Sequence, residues 1–482
     1  MRTIGNAVPS ARKVEAIASG ALSTGDTVAV NSDGTVSLVS ETSATQGVGS
    51  AVAFSGQNNW LASTYDANSQ KVILAYKDDD SSNGGVAVVG TVSGTSISFG
   101  TEVLFEAGYT EYISCTYDEN AQKVVIVYRD NGNSFYGKAI VGTVSGTSIS
   151  FGSPVTFNAA TTLYTSCAYD PISQNIVIAY RDDGNGGDGT AIVGTVSGTS
   201  ISFGSEVVFE TGRTNYTSTV YDANAQKIVI AYQDDSDADK GKARVATVSG
   251  TSISFGSIAE FNNGITQYIS ASYDANSQKV VISYSNGANS YYGTSIVGTV
   301  SGTSISFGSA VVFESSASRY MSSVYDETAQ KVLVSYCSDT TALYPRAIVG
   351  TVSETSISFG TSVTLDTVYS FTISAVYSSA SKNIVISYVD DPNNIGEAVV
   401  FQNAYTSTNL TATNYIGIAD SDAADTGKAV VNTRGAVDDN QTGLTAGQAY
   451  YVQTDGTLST TAGDPSVFAG TAVSATKLIV KG

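Results

Sequence analysis

Aspartates recur in this sequence at a fixed interval, each at the end of an apolar run. The interval is 52 residues or a multiple of it, and the positions are Asp78, Asp130, Asp182, Asp234 and Asp390. A second acidic residue follows at once in four copies, at Asp79, Asp183, Asp235 and Asp391. Carboxylates accept hydrogen bonds from hydroxyl groups of sugars and other polyols. These residues are therefore candidate ligand-binding groups.

Aromatic and basic side chains occupy the same variable segments of the repeat. They are Tyr109, Phe135, Tyr136, Tyr291, Tyr292, Tyr344, Arg213 and Arg319. Aromatic rings offer flat apolar faces and arginines offer several donors, so the combined set suits a carbohydrate. The alternative is that these segments differ between copies only because nothing packs against them, as is usual for solvated loops.

One acidic segment resembles half of a calcium-binding loop. Asp235, Asp237 and Asp239 alternate as oxygen ligands do in an EF-hand. However, Lys240 stands where that loop needs glycine and Ala246 where it needs a bidentate glutamate. We therefore predict no metal site and no cofactor.

Catalysis by histidine is excluded, because the chain contains none. This removes Ser-His-Asp and Cys-His chemistry and all metal sites that use histidine. Glycoside hydrolysis by two carboxylates is the remaining enzymatic alternative, yet the acidic residues are spread over nearly all repeats without a distinctive pair. The prediction is a protein that is not an enzyme.

The elements that carry these residues are short hairpins. Two series of tyrosines, which begin at Tyr65 and Tyr76, recur seven times at 52-residue intervals. The segment between them, such as YDANSQKVVISY at 273–284, reads as strand, polar turn and strand. A second hairpin, GTVSGTSISFG, follows in six copies, with Glu354 in place of its central glycine in the last.

Four short strands per repeat of this length are typical of a propeller blade. The seventh copy lacks its outer strand, and GSAVAF at 49–54 resembles GTEVLF at 100–105. We therefore predict an all-β chain with a seven-bladed β-propeller of four-stranded repeats, whose ring is closed by an N-terminal strand. Small residues two places before the first tyrosine, such as Ser63 and Ala375, are expected to face the crowded axis.

Chain direction divides the predicted loops between two faces. With strands a to d numbered outward from the axis, the a–b and c–d turns form a bottom face that barely varies. The b–c and d–a loops form a top face that carries the candidate residues. The aspartates that begin the bottom turns, Asp66, Asp118, Asp170, Asp222, Asp274 and Asp326, are predicted to close Asx-type turns. By the same reasoning the chain ends are expected below the ring, opposite the variable loops.

The two chain ends share a second pattern. ASGALSTGDTVAVNSDGTVSLVS at 18–40 and GLTAGQAYYVQTDGTLS at 443–459 each read as a hairpin. The expected domains are 1–47 and 406–482, which together form one small β-sandwich or barrel, and the propeller at 48–405. These terminal segments resemble marine bacteriophage virion surface proteins of the tail-fibre or capsid-decoration type. The resemblance implies a virion-surface role in which the terminal module is the anchor.

Charge and composition limit the partners. A net charge of −20 disfavours nucleic acid and anionic membranes. Residues 1–23 lack the apolar run of a secretory signal, and no segment reads as a transmembrane span, so we expect synthesis in a host cytoplasm without membrane insertion. Cys115, Cys167 and Cys337 show no metal-ligand spacing and are predicted to be small buried residues.

These observations give a main functional hypothesis and two alternatives. The main hypothesis is a virion surface protein that contacts other virion proteins through its terminal module and displays the propeller for adhesion to cell-surface or environmental glycans. The first alternative is a purely structural decoration or fibre subunit without a ligand. The second is a bacterial extracellular lectin or a surface-filament component, which the lack of an export signal disfavours. Assembly as a homo-oligomer is compatible with each of them.

Overall fold

The computed structural model describes residues 12–55, 58–79, 81–339 and 342–481. Contacts divide the chain into two compact units. Gln46–Asn403 form one unit, and the residues up to Thr45 form the other together with those from Ala404 onward. Each bound of the first unit lies two residues before the one expected from the sequence, which was 48–405.

The larger unit is a seven-bladed propeller, as predicted, in which strands a, b, c and d of each blade pair antiparallel in that order. Strands b are Lys71–Asp78, Lys123–Asp130, Asn175–Asp182, Lys227–Asp234, Lys279–Asn286, Lys331–Ser338 and Asn383–Asp390. Strands c are Gly84–Ser93, Tyr136–Ser145, Asp188–Ser197, Lys240–Ser249, Tyr292–Ser301, Tyr344–Ser353 and Ile395–Gln402. Two b–c loops contain a single 3-10 turn, at Asp183–Asn185 and Gly287–Asn289.

Strand d has two halves that pair with opposite ends of strand c. The first halves are Ser96–Phe99, Ser148–Phe151, Ser200–Phe203, Ser252–Phe255, Ser304–Phe307, Ser356–Phe359 and Gly47–Val48. Separate second halves are Val103–Glu106, Ala259–Asn262, Val363–Thr364 and Val52–Ser55. In three places the second half continues into strand a of the next blade, at Val155–Asp170, Val207–Asp222 and Val311–Asp326. The remaining strands a are Asn58–Asp66, Thr110–Asp118, Thr266–Asp274 and Ile373–Ser378.

Blade 7 is completed by the N-terminal segment, which confirms the predicted closure. Val48 pairs with Phe401, and Val52 pairs with Ala398. Phe54 packs its ring against Tyr76 of blade 1, with the ring centroids 5.2 Å apart. The outer strand of the last blade thus comes from the other end of the propeller sequence, and it pairs with the edge of strand c that the last repeat would otherwise leave open.

Serine hydroxyls link successive strands a around the axis from blade 2 on to blade 1, whereas Ala62 offers no hydroxyl at the step from blade 1 to blade 2. The Ser322 hydroxyl accepts a hydrogen bond of 3.0 Å from the Ala375 backbone N–H of the following blade. The same step joins the last blade to the first, where the hydroxyls of Ser374 and Ser63 lie 2.7 Å apart. Only small side chains fit between strands that approach this closely, so the small residues predicted for this position are explained.

The strand-b tyrosines are the largest fully buried side chains of the propeller. All seven have no exposed surface, and they are Tyr76, Tyr128, Tyr180, Tyr232, Tyr284, Tyr336 and Tyr388. Six hydroxyls donate to a carboxylate; for example, Tyr232 donates to Glu210 over 2.7 Å. Tyr284 is the exception, because its hydroxyl has no hydrogen-bond partner among the described residues.

The bottom turns follow their predicted chemistry. Asp66 accepts hydrogen bonds from the backbone N–H groups of Asn68 and Ser69, which closes an Asx-type turn. The corresponding aspartates do the same in the next five blades. In the c–d turns the central residue has a positive φ, 58° at Gly94, and Glu354 adopts 55° at the same position.

The smaller unit contains two five-stranded sheets and one two-stranded ribbon. The first sheet has the order Lys13–Ile17, Lys428–Asn432, Tyr415–Ala419, Thr27–Val30 and Val36–Leu38. The second has the order Val437–Asp438, Leu478–Val480, Val467–Ala472, Ala449–Val452 and Leu458–Ser459. The ribbon pairs Glu41–Ala44 with Tyr405–Thr408. Residues of both large sheets share one buried core, which fits the predicted β-sandwich.

The two large sheets are copies of one motif. Numbered along the chain within each sheet, the strands have the same order, 1-5-4-2-3. Matching hydrogen bonds join Leu22 to Ala423 and Leu444 to Ala475. The propeller therefore interrupts the first copy between its third and fourth strands. The sequence had predicted a single module with an insertion, and the structure adds that this module is internally duplicated.

The described part of the chain contains no helix that is both long and apolar enough to cross a bilayer.

Candidate functional site at the top of the propeller channel

A bulge in strand a turns an aromatic ring toward the axis of the propeller. In blade 1, Asn59 pairs with Lys77 and Ala62 with Ala75, so that Trp60 and Leu61 together oppose one residue, Tyr76. Trp60 has a φ of 52°, and Leu61 packs into the apolar core. The bulge thereby sends two successive side chains to different environments, one to the channel and one to the core.

The same bulge occurs in six blades and builds what we call the aromatic collar. Its members have φ values between 49° and 52° and recur every 52 residues, at Trp60, Tyr112, Tyr164, Tyr216, Tyr268 and Tyr320. Adjacent rings contact one another, with centroids 4.3 Å apart for Trp60 and Tyr112 and 5.3 Å apart for Tyr216 and Tyr268. All six rings line one cavity of about 250 Å³ together with Thr372 of blade 7. Because residues from all seven blades line it, this cavity lies on the axis.

Burial keeps four of the collar hydroxyls, those of Tyr112, Tyr164, Tyr216 and Tyr320, protonated at physiological pH. Burial raises the pKa of Tyr112 to about 12. Burial also raises the pKa of Tyr164, although the positive charge of the nearby Arg181 cancels part of that increase. Burial likewise raises the pKa values of Tyr216 and Tyr320. The cavity therefore combines ring surfaces with protonated hydroxyls, a combination that binds polyols with apolar faces.

Ion pairs stand around the collar. Arg129 lies over the ring of Tyr112, with its guanidinium carbon 4.7 Å from the centroid, and over that of Phe135 at 5.3 Å. It also forms an ion pair with Glu111. Further pairs are Lys77 with Asp79 at 2.8 Å, Arg181 with Asp183 at 2.6 Å, Arg213 with Asp235 at 3.2 Å and Arg319 with Asp339 at 3.1 Å. Each of these cations has its charge balanced by a carboxylate beside it.

In five blades strand b ends in an aspartate that is buried beneath the b–c loop. Asp78, Asp130, Asp182, Asp234 and Asp390 are at most 7% exposed. Asp182 accepts from the backbone N–H of Gly184 over 2.9 Å, and Asp234 accepts from that of Ser236 over 3.0 Å. The Lys242 ammonium lies 2.6 Å from the second oxygen of Asp234. These carboxylates close the loops from inside, whereas the sequence had placed them among the exposed ligand-binding groups.

Other predicted residues are more accessible. Tyr109 is 38%, Phe135 45% and Tyr291 40% exposed. Tyr136, Tyr292 and Tyr344 begin strands c and are half-buried, as is Asp391 in the last b–c loop. The side chains of Arg213 and Arg319 are 57% and 45% exposed at the rim. Of the predicted aromatic residues, Phe135 lies beside the collar, because Arg129 contacts both its ring and that of Tyr112.

The calcium-like segment is arranged as a salt-bridge network. Asp237 contacts the ammonium groups of Lys240 at 3.4 Å and Lys242 at 2.9 Å. Burial, a hydrogen bond to Asp235 and the charge of Asp235 raise the pKa of Asp239. In the described ranges no group of three or more Cys, Asp or Glu side chains could hold a metal ion.

The aromatic collar is absent from the residues selected by sequence. The available signal was its spacing of 52 residues, which it shares with the two other tyrosine series. Simple alternation along strand a does not single it out, since the bulge changes which side chains face the channel.

No protein-family model and no curated protein sequence matches the chain. BP39L lectin from Burkholderia pseudomallei has a similar structure, with a TM-score of 0.50 and 10% sequence identity over 75% of this chain and 99% of that one. AofleA from Arthrobotrys oligospora aligns with a TM-score of 0.42 and 11% identity over 69% of this chain and 93% of its own. At this identity the likeness to BP39L shows the propeller fold.

Proposed function

We propose that this protein is a non-enzymatic adhesion protein whose propeller binds neutral glycans on its top face. The observation that carries the proposal is the aromatic collar around the axial cavity, with exposed rings and polar side chains beside it. A sugar ring presents a C–H face that packs on an aromatic ring, and its hydroxyl groups bond to adjacent polar groups. The similar fold of a protein described as a lectin supports this choice.

The electrostatics of the rim favour an uncharged sugar. The cations nearest the collar, Arg129, Arg181 and Arg319, are each paired with a carboxylate. An acidic glycan would have to compete with these carboxylates, and the net charge of −20 would repel it at longer range. Hydroxyl groups, in contrast, can bond to the outer oxygens and N–H groups of an ion pair without breaking it.

The finer part of the proposal concerns location. We propose that the smaller unit anchors the protein on a virion surface through contacts with other virion proteins. This part is supported only by the resemblance of the two terminal segments to virion surface proteins, since the compared structures do not point to a virion. Negative-stain or cryo-electron microscopy of the native assembly, with antibody labelling of the propeller, tests the location independently of glycan binding.

Glycan binding is tested with a printed array and biotinylated protein presented on tetravalent streptavidin, which compensates for weak single contacts. We expect binding to neutral glycans that is reduced in the double variant Phe135→Ala with Tyr291→Ala. The matched control is Ile172→Ala, which removes a side chain that is 61% exposed in a bottom turn. Complete lack of binding by the wild-type protein at this valency would contradict the proposal.

A structural subunit without a ligand is the second candidate. It is favoured by the internal pairing of the top-face charges and by the turn-closing position of the first aspartates. Under this alternative, the double variant at Phe135 and Tyr291 would leave attachment to host cells unchanged while assembly still depended on the smaller unit.

A further inference from the structure

The aromatic collar has seven positions but only six rings. Trp60 and five tyrosines occupy six positions at 52-residue intervals, and Thr372 occupies the seventh. We propose that the gap at Thr372 is a binding subsite for one pyranose ring of a neutral glycan. This inference rests on the proposed glycan binding and assigns it to one place on the top face.

The two ends of the row of rings face this gap. Trp60 contacts the ring of Tyr112 on one side, and Tyr320 contacts that of Tyr268 at 4.9 Å. Among the described residues, no aromatic contact joins Tyr320 to Trp60. Neither end ring is stacked on another collar ring on its side of the gap, and Tyr369 lies near Tyr320 there. A pyranose is close to a phenol ring in size, so it can occupy the place that a seventh tyrosine would fill.

The backbone keeps this gap open. In the other blades the collar residue has a positive φ near 50°, which a β-branched residue adopts at a high cost. Thr372 does not share this conformation, and strand a of blade 7 starts only at Ile373. The bulge that directs an aromatic ring to the axis is therefore missing in this blade. The asymmetry follows from both the residue type and the local backbone.

Polar groups surround the gap. Thr372 itself lines the cavity, and the buried Ser370 hydroxyl donates to the Thr372 carbonyl over 3.0 Å, which fixes the loop. Tyr369 is 40% exposed on the same loop. Arg319 precedes the collar residue Tyr320 and pairs with Asp339 at the rim. A sugar stacked between Trp60 and Tyr320 would thus have hydroxyl and guanidinium partners at its edge.

The asymmetry gives a definite stoichiometry. A ligand site repeated between blades would bind several sugars per chain, whereas the gap occurs once per propeller. We therefore expect one sugar bound per chain. Trp60 is the single tryptophan of the sequence, so its fluorescence reports directly on occupation of the gap.

The experiment uses the full-length protein and a panel of methyl glycosides of neutral hexoses, 6-deoxyhexoses and N-acetylhexosamines. Trp60 fluorescence and isothermal titration calorimetry measure binding to the wild type and to Thr372→Tyr, which supplies the residue of the other copies. The matched control, Thr161→Tyr, makes the same change in the top loop before blade 3. Two other repeats already have a tyrosine at the equivalent position, Tyr109 and Tyr369. A second test variant, Trp60→Leu, removes one stacking surface and is measured by calorimetry and by circular dichroism for folding.

We expect one site per chain, a change in Trp60 emission on binding, and a loss of affinity of at least about tenfold in Thr372→Tyr and Trp60→Leu. Thr161→Tyr should stay within about twofold of the wild type. Binding of a glycan with unchanged Trp60 emission and full affinity in both variants would overturn the gap subsite and leave glycan binding elsewhere on the top face. If no member of the panel and no glycan on the array binds, the proposed function itself fails.

Discussion

Tyr284 and Tyr232 occupy the same buried position in neighbouring blades but differ in their hydroxyl partners. Tyr232 donates to Glu210, whereas Tyr284 lacks an acceptor in the described part of the chain. We expect Tyr232→Phe to lower the free energy of unfolding by about 1 to 3 kcal/mol, since the buried Glu210 carboxylate loses a donor. Tyr284→Phe should leave the free energy of unfolding unchanged or raise it by up to about 1 kcal/mol, because no hydrogen bond is lost. Urea unfolding of the two variants decides the matter, and equal losses would contradict the assigned partners.

Glu354 is the one residue other than glycine at the centre of a c–d turn. Its φ of 55° is a left-handed conformation that costs a side-chain-bearing residue about 1 kcal/mol or more. Glu354→Gly should therefore raise the free energy of unfolding by about 1 kcal/mol. The reverse change, Gly302→Glu, serves as the control, because a Cβ there would meet open space and only the backbone conformation is penalised. A stabilisation by Gly302→Glu would argue against this explanation.

At the level of elements, the outer strand of blade 7 is held in a different way from the others. Elsewhere a two-residue turn joins strand d to its own strand c, but Gly47–Val48 and Val52–Ser55 belong to blade 7 only through pairing and packing. Phe54 and Phe105 make equivalent ring contacts, both at 5.2 Å to a strand-b tyrosine. Each change to alanine should cost about 3 to 5 kcal/mol.

The two variants should differ in how the ring opens. Release of the outer strand of blade 7 separates the chain ends of the propeller, whereas a loosened outer strand in blade 1 stays tethered by its turn. Limited proteolysis under native conditions should therefore cut Phe54→Ala near the ring closure faster than it cuts Phe105→Ala. Equal cutting patterns would show that closure is no weaker than the covalently joined blades.

At the level of the whole molecule, stability should depend on pH mainly on the alkaline side. Burial, with nearby carboxylates, raises the pKa values of Tyr128, Tyr232 and Tyr388 above the ordinary value. Their folded pKa values exceed the unfolded one near 10, so their contribution is complete below about pH 10 and is lost as the pH rises above it. Each such tyrosine should reduce the free energy of unfolding by about 1.4 kcal/mol per pH unit in that range.

Guanidinium unfolding between about pH 6 and pH 11 measures this dependence. Because the chain has no histidine, the transition midpoint should be nearly constant from about pH 6 to pH 8. It should then fall steeply above about pH 10. A midpoint that stays constant up to about pH 11 would show that the buried tyrosines titrate normally.

The fold was determined by features that act locally along the sequence. Strands of alternating residues, tight turns at Asp66 and Gly94, and a constant interval between Tyr65 and its copies specify hairpins without knowledge of distant contacts. The missing outer strand of the last copy and its counterpart before Trp60 specify the closure as well. The hairpin pattern at both chain ends also indicated a shared terminal module, although its internal duplication became visible only from the strand order.

The candidate site, in contrast, was decided by tertiary structure. Asp182 and Asp183 are adjacent acidic residues in the sequence, yet one closes a turn from inside while the other pairs with Arg181 at the surface, because burial depends on neighbouring strands. The collar depends on a bulge and on contacts between rings of different blades, neither of which follows from spacing alone. The sequence by itself determined how many blades there are and which loops share a face. Only the packing of strands around the axis decided that Trp60, Tyr320 and Thr372 line one cavity.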